Sequence, residues 1–247
     1  MNKYFYPILP TMLLLTSCAN YEKNPDDPYE SFNRVSYKIN DGIDKAILKP
    51  LAQGYVKVTP NIAQQGVSNL ISNVNQVPIF LNDLAQFKFE KAAETASRFV
   101  FNSTFGLFGL LDLTKPFGLP KEHANDVGMT LAFYGWENSE FLVVPLLGPA
   151  TVRDGIGRVG DAVLIPSSYY IKDAKLRNIN WGVRLIEARS RLLNVDKIAG
   201  EASFDNYIFQ RESYMQYRKN QLSKAGLIEE VDSPSLSDIL NESGGDK

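Results

Sequence analysis

Phe99-Val-Phe-Asn-Ser-Thr-Phe-Gly-Leu-Phe-Gly-Leu-Leu111 runs for 13 residues without a charge, between Arg98 and Asp112. A helix that is apolar on nearly every side is either fully buried or immersed in lipid. At ~20 residues for a span, the run is too short to cross a bilayer. As a helix it would place Gly106 and Gly109 on nearly one face, where a neighbouring helix or a lipid chain could approach closely, with Leu107 and Leu110 on an adjacent face. A second uncharged run, Phe141 to Val152, is interrupted by Pro145, Gly148 and Pro149 and closed by Arg153-Asp154. Core burial and insertion into one leaflet remain the two readings of both runs.

Helical periodicity extends outward on either side. Asp27-Pro28-Tyr29-Glu30 has the composition of a helix start, with Asp27 as cap and Pro28 in the first turn. Phe32, Val35, Ile39, Ile43 and Ile47 then recur at steps of three and four, and Pro50 is expected to stop the helix. Thr59-Pro60 opens a second helix, Pro78 a third, and Lys88 to Asn102 forms a fourth, with Ala92, Ala93 and Ala96 offering close approach. Leu176 to Val195 and Phe204 to Lys224 are long, charged and helix-favouring. No run of period-two strands and no internal repeat is evident. The fold class is therefore all-α, mainly helical.

The N-terminus adds an address. Lys3 precedes an apolar stretch from Tyr4 to Leu15, which has the length of a signal-peptide hydrophobic region. Leu15-Thr16-Ser17-Cys18 follows, and Cys18 is the single cysteine of the chain. This arrangement resembles the lipobox of bacterial lipoproteins, in which the cysteine is acylated and becomes the mature N-terminus. An ordinary secretory signal with a free thiol is the alternative. The chain thus divides into a signal peptide at 1–17, a lipidated tether at 18–27, a helical domain at 28–225 and an acidic, disordered tail at 226–247. The tail carries six acids and one lysine, so residues 18–225 are mildly positive although the whole chain has a formal charge of -2. That balance does not argue for nucleic acid, and no basic run with interleaved aromatics is present. With no second cysteine there is no disulfide framework.

Motifs for chemistry are weak. Gly155-Ile-Gly-Arg-Val-Gly160 matches G-x-G-x-x-G, but the dinucleotide fingerprint needs a strand before it and a helix after it. Pro145, Pro149 and Pro166 argue against both, which leaves flexible turn glycines. His123 is the one histidine, and the stretch around it reads as a surface loop. There is no G-x-S-x-G elbow and no second imidazole for a metal. Asp112, Asp126, Asp154 and Asp161 show no metal-cage spacing, and Asn102-Ser103-Thr104 is a sequon without meaning in a bacterial lipoprotein.

Several multi-residue motifs carry a family resemblance. Asp27-Pro-Tyr-Glu-Ser-Phe-Asn-Arg34, Arg98-Phe99 with Asn102-Ser-Thr-Phe-Gly-Leu107 and the Gly109 to Asp112 end occur in order. Gly128-Met-Thr-Leu131 with Tyr134-Gly135 follows, then Pro145-Leu-Leu-Gly-Pro-Ala-Thr-Val-Arg-Asp154. Over roughly residues 15 to 200 the chain resembles the MlaA/VacJ family of outer-membrane lipoproteins. The resemblance implies a single ring-like helical domain in the inner leaflet of the outer membrane, with an amphipathic channel. It implies removal of mislocalised phospholipid from the outer leaflet, passage to a soluble periplasmic lipid carrier for retrograde transport, and docking on a trimeric porin. Phospholipid is the transported ligand, with no cofactor, no metal and no catalytic residue. The expected site residues are Cys18 for lipidation and Phe99, Phe105, Leu107, Phe108, Leu110 and Leu111 against membrane or channel. Gly128, Gly135, Pro145, Gly148, Arg153 and Asp154 are expected in a loop at the channel mouth. Ala19, which is not aspartate, agrees with sorting to the outer membrane. Trp136-Glu-Asn-Ser-Glu140 stands where the family usually has a glycine-rich turn, which leaves less backbone freedom there. The rival functions are a structural or interaction lipoprotein and a lipid-modifying hydrolase with Ser-His chemistry.

Cys18→Ala should prevent acylation and normal anchoring. Metabolic labelling with a radioactive fatty acid and membrane fractionation check this, and unchanged processing of the variant would contradict the lipobox.

Overall fold

The computed structural model of the chain describes residues 24–114, 117–119, 122–165, 171–193, 196 and 205–229. Cys18 and most of the acidic tail lie outside the described residues. Helix α1 spans Glu30–Ile43. Asp27 is not its cap: Tyr29 holds that position without a side-chain bond. Buried Asp27 instead accepts from Asn33 Nδ2 at 3.0 Å and from the Tyr207 hydroxyl, so the end of the expected tether is docked.

Pro50 does not end the helical path. A π-helical stretch, Asp44–Leu48, leads directly into α2, Lys49–Val58, where Pro50 occupies the first turn. Proline would clash with the carbonyl four residues before it, and widening the preceding turn relieves that contact. Helix α3, Asn61–Ala85, likewise carries Pro78 in its interior rather than starting there. Its packing against α4, Phe89–Thr104, outweighs the ~3 kcal/mol that an interior proline costs.

The uncharged run from Phe99 is helical only to Thr104. Beyond it the chain folds into a tight turn, with Leu107, Phe108 and Gly109 at φ of 53°, 60° and 95°. Gly106 and Gly109 are therefore turn residues, not one face of a helix. The Gly106 carbonyl accepts from Gly109 N at 3.1 Å and Leu111 N at 2.9 Å. A Cβ on Gly109 would stand 2.6 Å from Asn73 Cβ, so the turn packs directly on α3.

Helix α5, Val127–Phe133, is capped by Asp126, whose side chain accepts from Met129 N. Strands β1, Phe141–Val144, and β2, Gly148–Thr151, form an antiparallel hairpin with Phe141 opposite Thr151 and Val144 opposite Gly148. The second uncharged run is thus this hairpin, a small exception to the all-helical expectation. Leu146 and Gly148 turn the chain at positive φ between four-residue strands too short to show a period. Helix α6, Val152–Leu164, follows at once, with Thr151 accepting from Asp154 N. Helices α7, Ala174–Arg191, and α8, Asn206–Lys224, are capped by Asp173 and Asp205. The mainly helical fold expected from periodicity is what the structure has.

Gly155, Gly157 and Gly160 lie inside α6, not in a turn. A Cβ on Gly157 would sit 2.5 Å from Gly128 N and 2.9 Å from Gly128 Cα, so α5 and α6 touch backbone to backbone. The glycine pattern thus makes a helix contact through Gly157, beyond the first turn of α6, instead of forming a loop ahead of the helix to wrap a pyrophosphate.

Gly157→Ala should destabilise the fold by about 1–3 kcal/mol through overpacking. Gly54→Ala, at a helical glycine with open space around it, should be neutral or stabilise by up to about 1 kcal/mol. Thermal unfolding in mild detergent compares them, and equal effects would contradict the α5–α6 contact.

Candidate functional site

The distribution of polarity marks this molecule. Along α1 and the π-helical stretch after it the apolar residues Val35, Ile39 and Ile47 are exposed, whereas Asn33 and Ser36 are buried. Among the described residues 18 polar or charged residues are buried against 10 hydrophobic ones, so polar pairing rather than apolar packing dominates the interior. Exposed large hydrophobics occur on every helix and on the hairpin turn. No helix among the described residues is long and apolar enough to cross a membrane.

Three polar centres organise the interior. Asp83, on α3, is fully buried and accepts from Asn125 Nδ2 at 2.7 Å and Thr95 Oγ1 at 3.0 Å. His123 Nε2 lies 2.9 Å from Asp83 Oδ1, so the lone histidine is half-buried and engaged rather than a free surface residue. Gln86 Nε2 continues the set to Asn125 Oδ1 and Thr130 Oγ1, joining α3, α4, α5 and the loop between. These bonds give Asp83 and His123 a structural task. Among the described residues no group of His, Cys, Asp and Glu could hold a metal ion.

The second centre is Arg218 on α8. Its guanidinium grips Asp126 with two bonds of 2.7 Å and donates to Asp154 Oδ1 at 2.9 Å. Asp154 also accepts from Arg153 Nε at 3.0 Å and from the Tyr214 hydroxyl at 2.9 Å. Burial pushes the Asp154 carboxyl up, but Arg218 and Arg153 more than offset it and hold it below the usual range. Burial disfavours the Arg218 cation too, and Asp126 with Asp154 reverses that. Asp161 sits beside this cluster with Val127 N as donor at 3.0 Å. Burial first, and then the Asp126 charge, raise Asp161 to about 6.

The third centre uses asparagines of α1. Asn33 donates to Phe141 O at 3.1 Å and accepts from Val143 N at 2.8 Å. Asn40 repeats the pattern on Val144 O at 3.0 Å and Leu146 N at 2.7 Å. Seven residues apart, the two amides stand on one helix face and satisfy the open edge of β1. From the other side Arg158 donates to Leu147 O.

The expected site residues divide. Phe105, Leu107, Phe108, Leu110 and Leu111 are exposed, with Leu107 at 60% and Phe108 at 83%, while Phe99 is half-buried. Gly135, Pro145 and Gly148 belong to turns or the hairpin. Gly128, Arg153 and Asp154 do not lie in a loop: all three are buried in α5 and α6, held there by the glycine contact and the Arg218 pairs. Arg153 also donates to Trp136 O at 3.0 Å and Glu137 O at 2.8 Å, which pins the Trp136 to Glu140 segment from inside. Sequence reasoning missed the roles of Asn40, Asp83 and Arg218. Asn40 was recoverable in principle, standing one heptad after Asn33 opposite an apolar stripe.

The fold is mainly helical, with large apolar residues exposed on its helices and charge pairs buried inside. The MlaA lipoprotein family model matches residues 25–221. The intermembrane phospholipid transport system lipoprotein MlaA of Haemophilus influenzae is 29% identical over 98% of both chains. The protein of that name from Escherichia coli K12 is 27% identical over 93% of this chain and 92% of that one. A solved structure reported as the structural basis for maintenance of bacterial outer membrane lipid asymmetry superposes with a TM-score of 0.68 at 30% identity. It covers 79% of this chain and 98% of that one. This chain belongs to the MlaA lipoprotein family.

Asp161 has a pH consequence. Its folded-state value near 6 exceeds the ordinary ~3.9, so the folded state holds this proton more tightly. Its stabilising contribution is complete below about pH 4 and is lost as pH rises through about 6. Asp161→Asn retains an acceptor for Val127 and removes that loss, so it should be more stable than wild type at pH 7.5, by up to about 3 kcal/mol, but not at pH 4. Thermal unfolding at both pH values checks the difference.

Proposed function

We propose that this chain removes mislocalised phospholipid from the outer leaflet of the outer membrane and passes it, chemically unchanged, to a soluble periplasmic carrier. In this reading it is anchored through Cys18 and lies in the inner leaflet as a ring-like domain around an amphipathic channel, beside a trimeric porin. The inverted polarity carries the proposal. Exposed apolar residues such as Ile39, Leu107 and Phe108 suit acyl chains, and an interior rich in carboxylates, amides and guanidinia suits headgroups. Membership of the MlaA family and the transport role in its relatives' names support the same reading. Moving a lipid needs a path and a destination but no bond cleavage, so no nucleophile is required.

Deleting the gene in the source bacterium should raise surface-exposed phospholipid, measured by digestion with added phospholipase, and the wild-type gene should restore it. Unchanged exposure would sink the transport role, and cleaved lipid produced by the purified protein would favour the hydrolase. Leu107→Lys and Phe108→Lys in a chain lacking Cys18 should stay folded yet bind vesicles about tenfold less or weaker, since each apolar side chain contributes roughly 1.5–3 kcal/mol on transfer. Unfolding of both variants would instead make this turn plain core.

A further inference from the structure

Helices α3 and α7 run side by side through a ladder of polar contacts. Arg184 Nη1 donates to Asn75 Oδ1 at 2.9 Å, and seven residues on, Arg191 Nη2 donates to Ser68 Oγ at 2.9 Å. Asn75 and Ser68 are also seven apart in the opposite direction, so the two rungs match an antiparallel pair. Buried Glu187 lies between the rungs and is neutralised by Arg191 at 2.6 Å. Arg184 has no such partner: among the described residues no ion pair engages it, and its Nε is buried without a hydrogen bond. The Tyr55 hydroxyl, from α2, is also buried without a partner. Glu187 acts electrostatically on both groups, which places them around one carboxylate.

Burial disfavours the Arg184 cation, but a guanidinium does not give up its proton in a protein. Half-buried, and near a carboxylate that Arg191 already engages, this guanidinium has donors left for a further anion. Its planar fork fits phosphate oxygens, and a neutral tyrosine hydroxyl can add a donor. Flanking Arg184, α7 also exposes Ile179, Val183 and Leu185. An anionic group attached to apolar chains matches both surfaces at once, whereas a free ion matches one.

We propose that the seam between α2, α3 and α7 binds the phosphodiester of a phospholipid headgroup, with Arg184 as the anion contact and Tyr55 as a second donor. This rests on the transport reading above and gives it a residue-level contact.

The test uses the full lipidated chain in a phosphate-free maltoside detergent. Wild type, Arg184→Gln, Arg184→Lys and Tyr55→Phe are incubated with phosphatidylethanolamine and phosphatidylglycerol, repurified, and assayed by mass spectrometry for retained lipid. Parallel arms use dioleoylglycerol, which lacks phosphate, and inorganic phosphate alone. Wild type should retain phospholipid in preference to dioleoylglycerol, Arg184→Gln should retain about tenfold less, and Arg184→Lys should recover part of the loss. Tyr55→Phe removes a hydroxyl without a hydrogen-bond partner among the described residues, so its reduced retention at unchanged melting temperature separates binding from folding. Equal retention by wild type and both Arg184→Gln and Tyr55→Phe overturns this site while leaving transport intact. No retention by wild type overturns the transport reading and the site together. Arg184-dependent binding of inorganic phosphate without retention of lipid overturns the headgroup assignment in favour of a free-anion site.

Discussion

Outward-facing apolar helices leave the interior to be held by hydrogen bonds and charge pairs, and the buried cluster around Arg218 is where that constraint is tightest. Asp126, Asp154 and Arg218 come from the α5 cap, α6 and α8. Burying Asp154 or Arg218 alone would cost several kcal/mol, whereas with half-buried Asp126 they satisfy one another. Because Asp126 also caps α5 and Asp154 stands in the first turn of α6, the same contacts fix two helix starts and the arrival of α8. A polar interior of this kind is directional. It specifies register more sharply than apolar packing does, but it tolerates little loss.

Close backbone approach supplies the remaining rigidity. Gly157 against Gly128 removes the side-chain layer between α5 and α6, which lets Asp126 at the head of α5 and Asp154 of α6 share the Arg218 guanidinium. The asparagine pair of α1 performs a comparable service for the hairpin. A two-stranded hairpin is marginal in water, and Asn33 and Asn40 lend β1 a second set of hydrogen-bonding partners. Local sequence and long-range order are thus tied through short amide side chains and missing side chains, not through large hydrophobes.

Helix positions were legible where a proline met an apolar period, as at Pro60, and where helix-favouring residues ran long, as through α7 and α8. Pro50 and Pro78 misled because a π-helical turn and packing against α4 overrode a local preference. The Phe99 to Leu111 run was legible in composition but not in shape, since positive φ at Leu107 and Phe108 has no signature in residues that normally avoid it. The family resemblance pointed to the right family, and the exposure of Phe105, Leu107, Phe108, Leu110 and Leu111 sets aside the buried-core reading at those five positions. The polar interior was not legible. A buried aspartate such as Asp83 and a solvated one look alike in sequence, and only the fold brings Thr95, His123 and Asn125 to it.

Strain points the same way as polarity. Among the described residues, the four non-glycine positions with positive φ are Phe87, Leu107, Phe108 and Leu146, and each is an exposed large hydrophobe. Left-handed backbone costs such residues roughly 1–2 kcal/mol, and in water an exposed side chain returns nothing for it. Moving a phenylalanine or leucine side chain into acyl chains would return roughly 1.5–3 kcal/mol, enough to exceed that cost. Under the proposed leaflet reading the strain at these turns is therefore offset by the surrounding lipid, and the membrane completes the folding energetics of the turns that enter it.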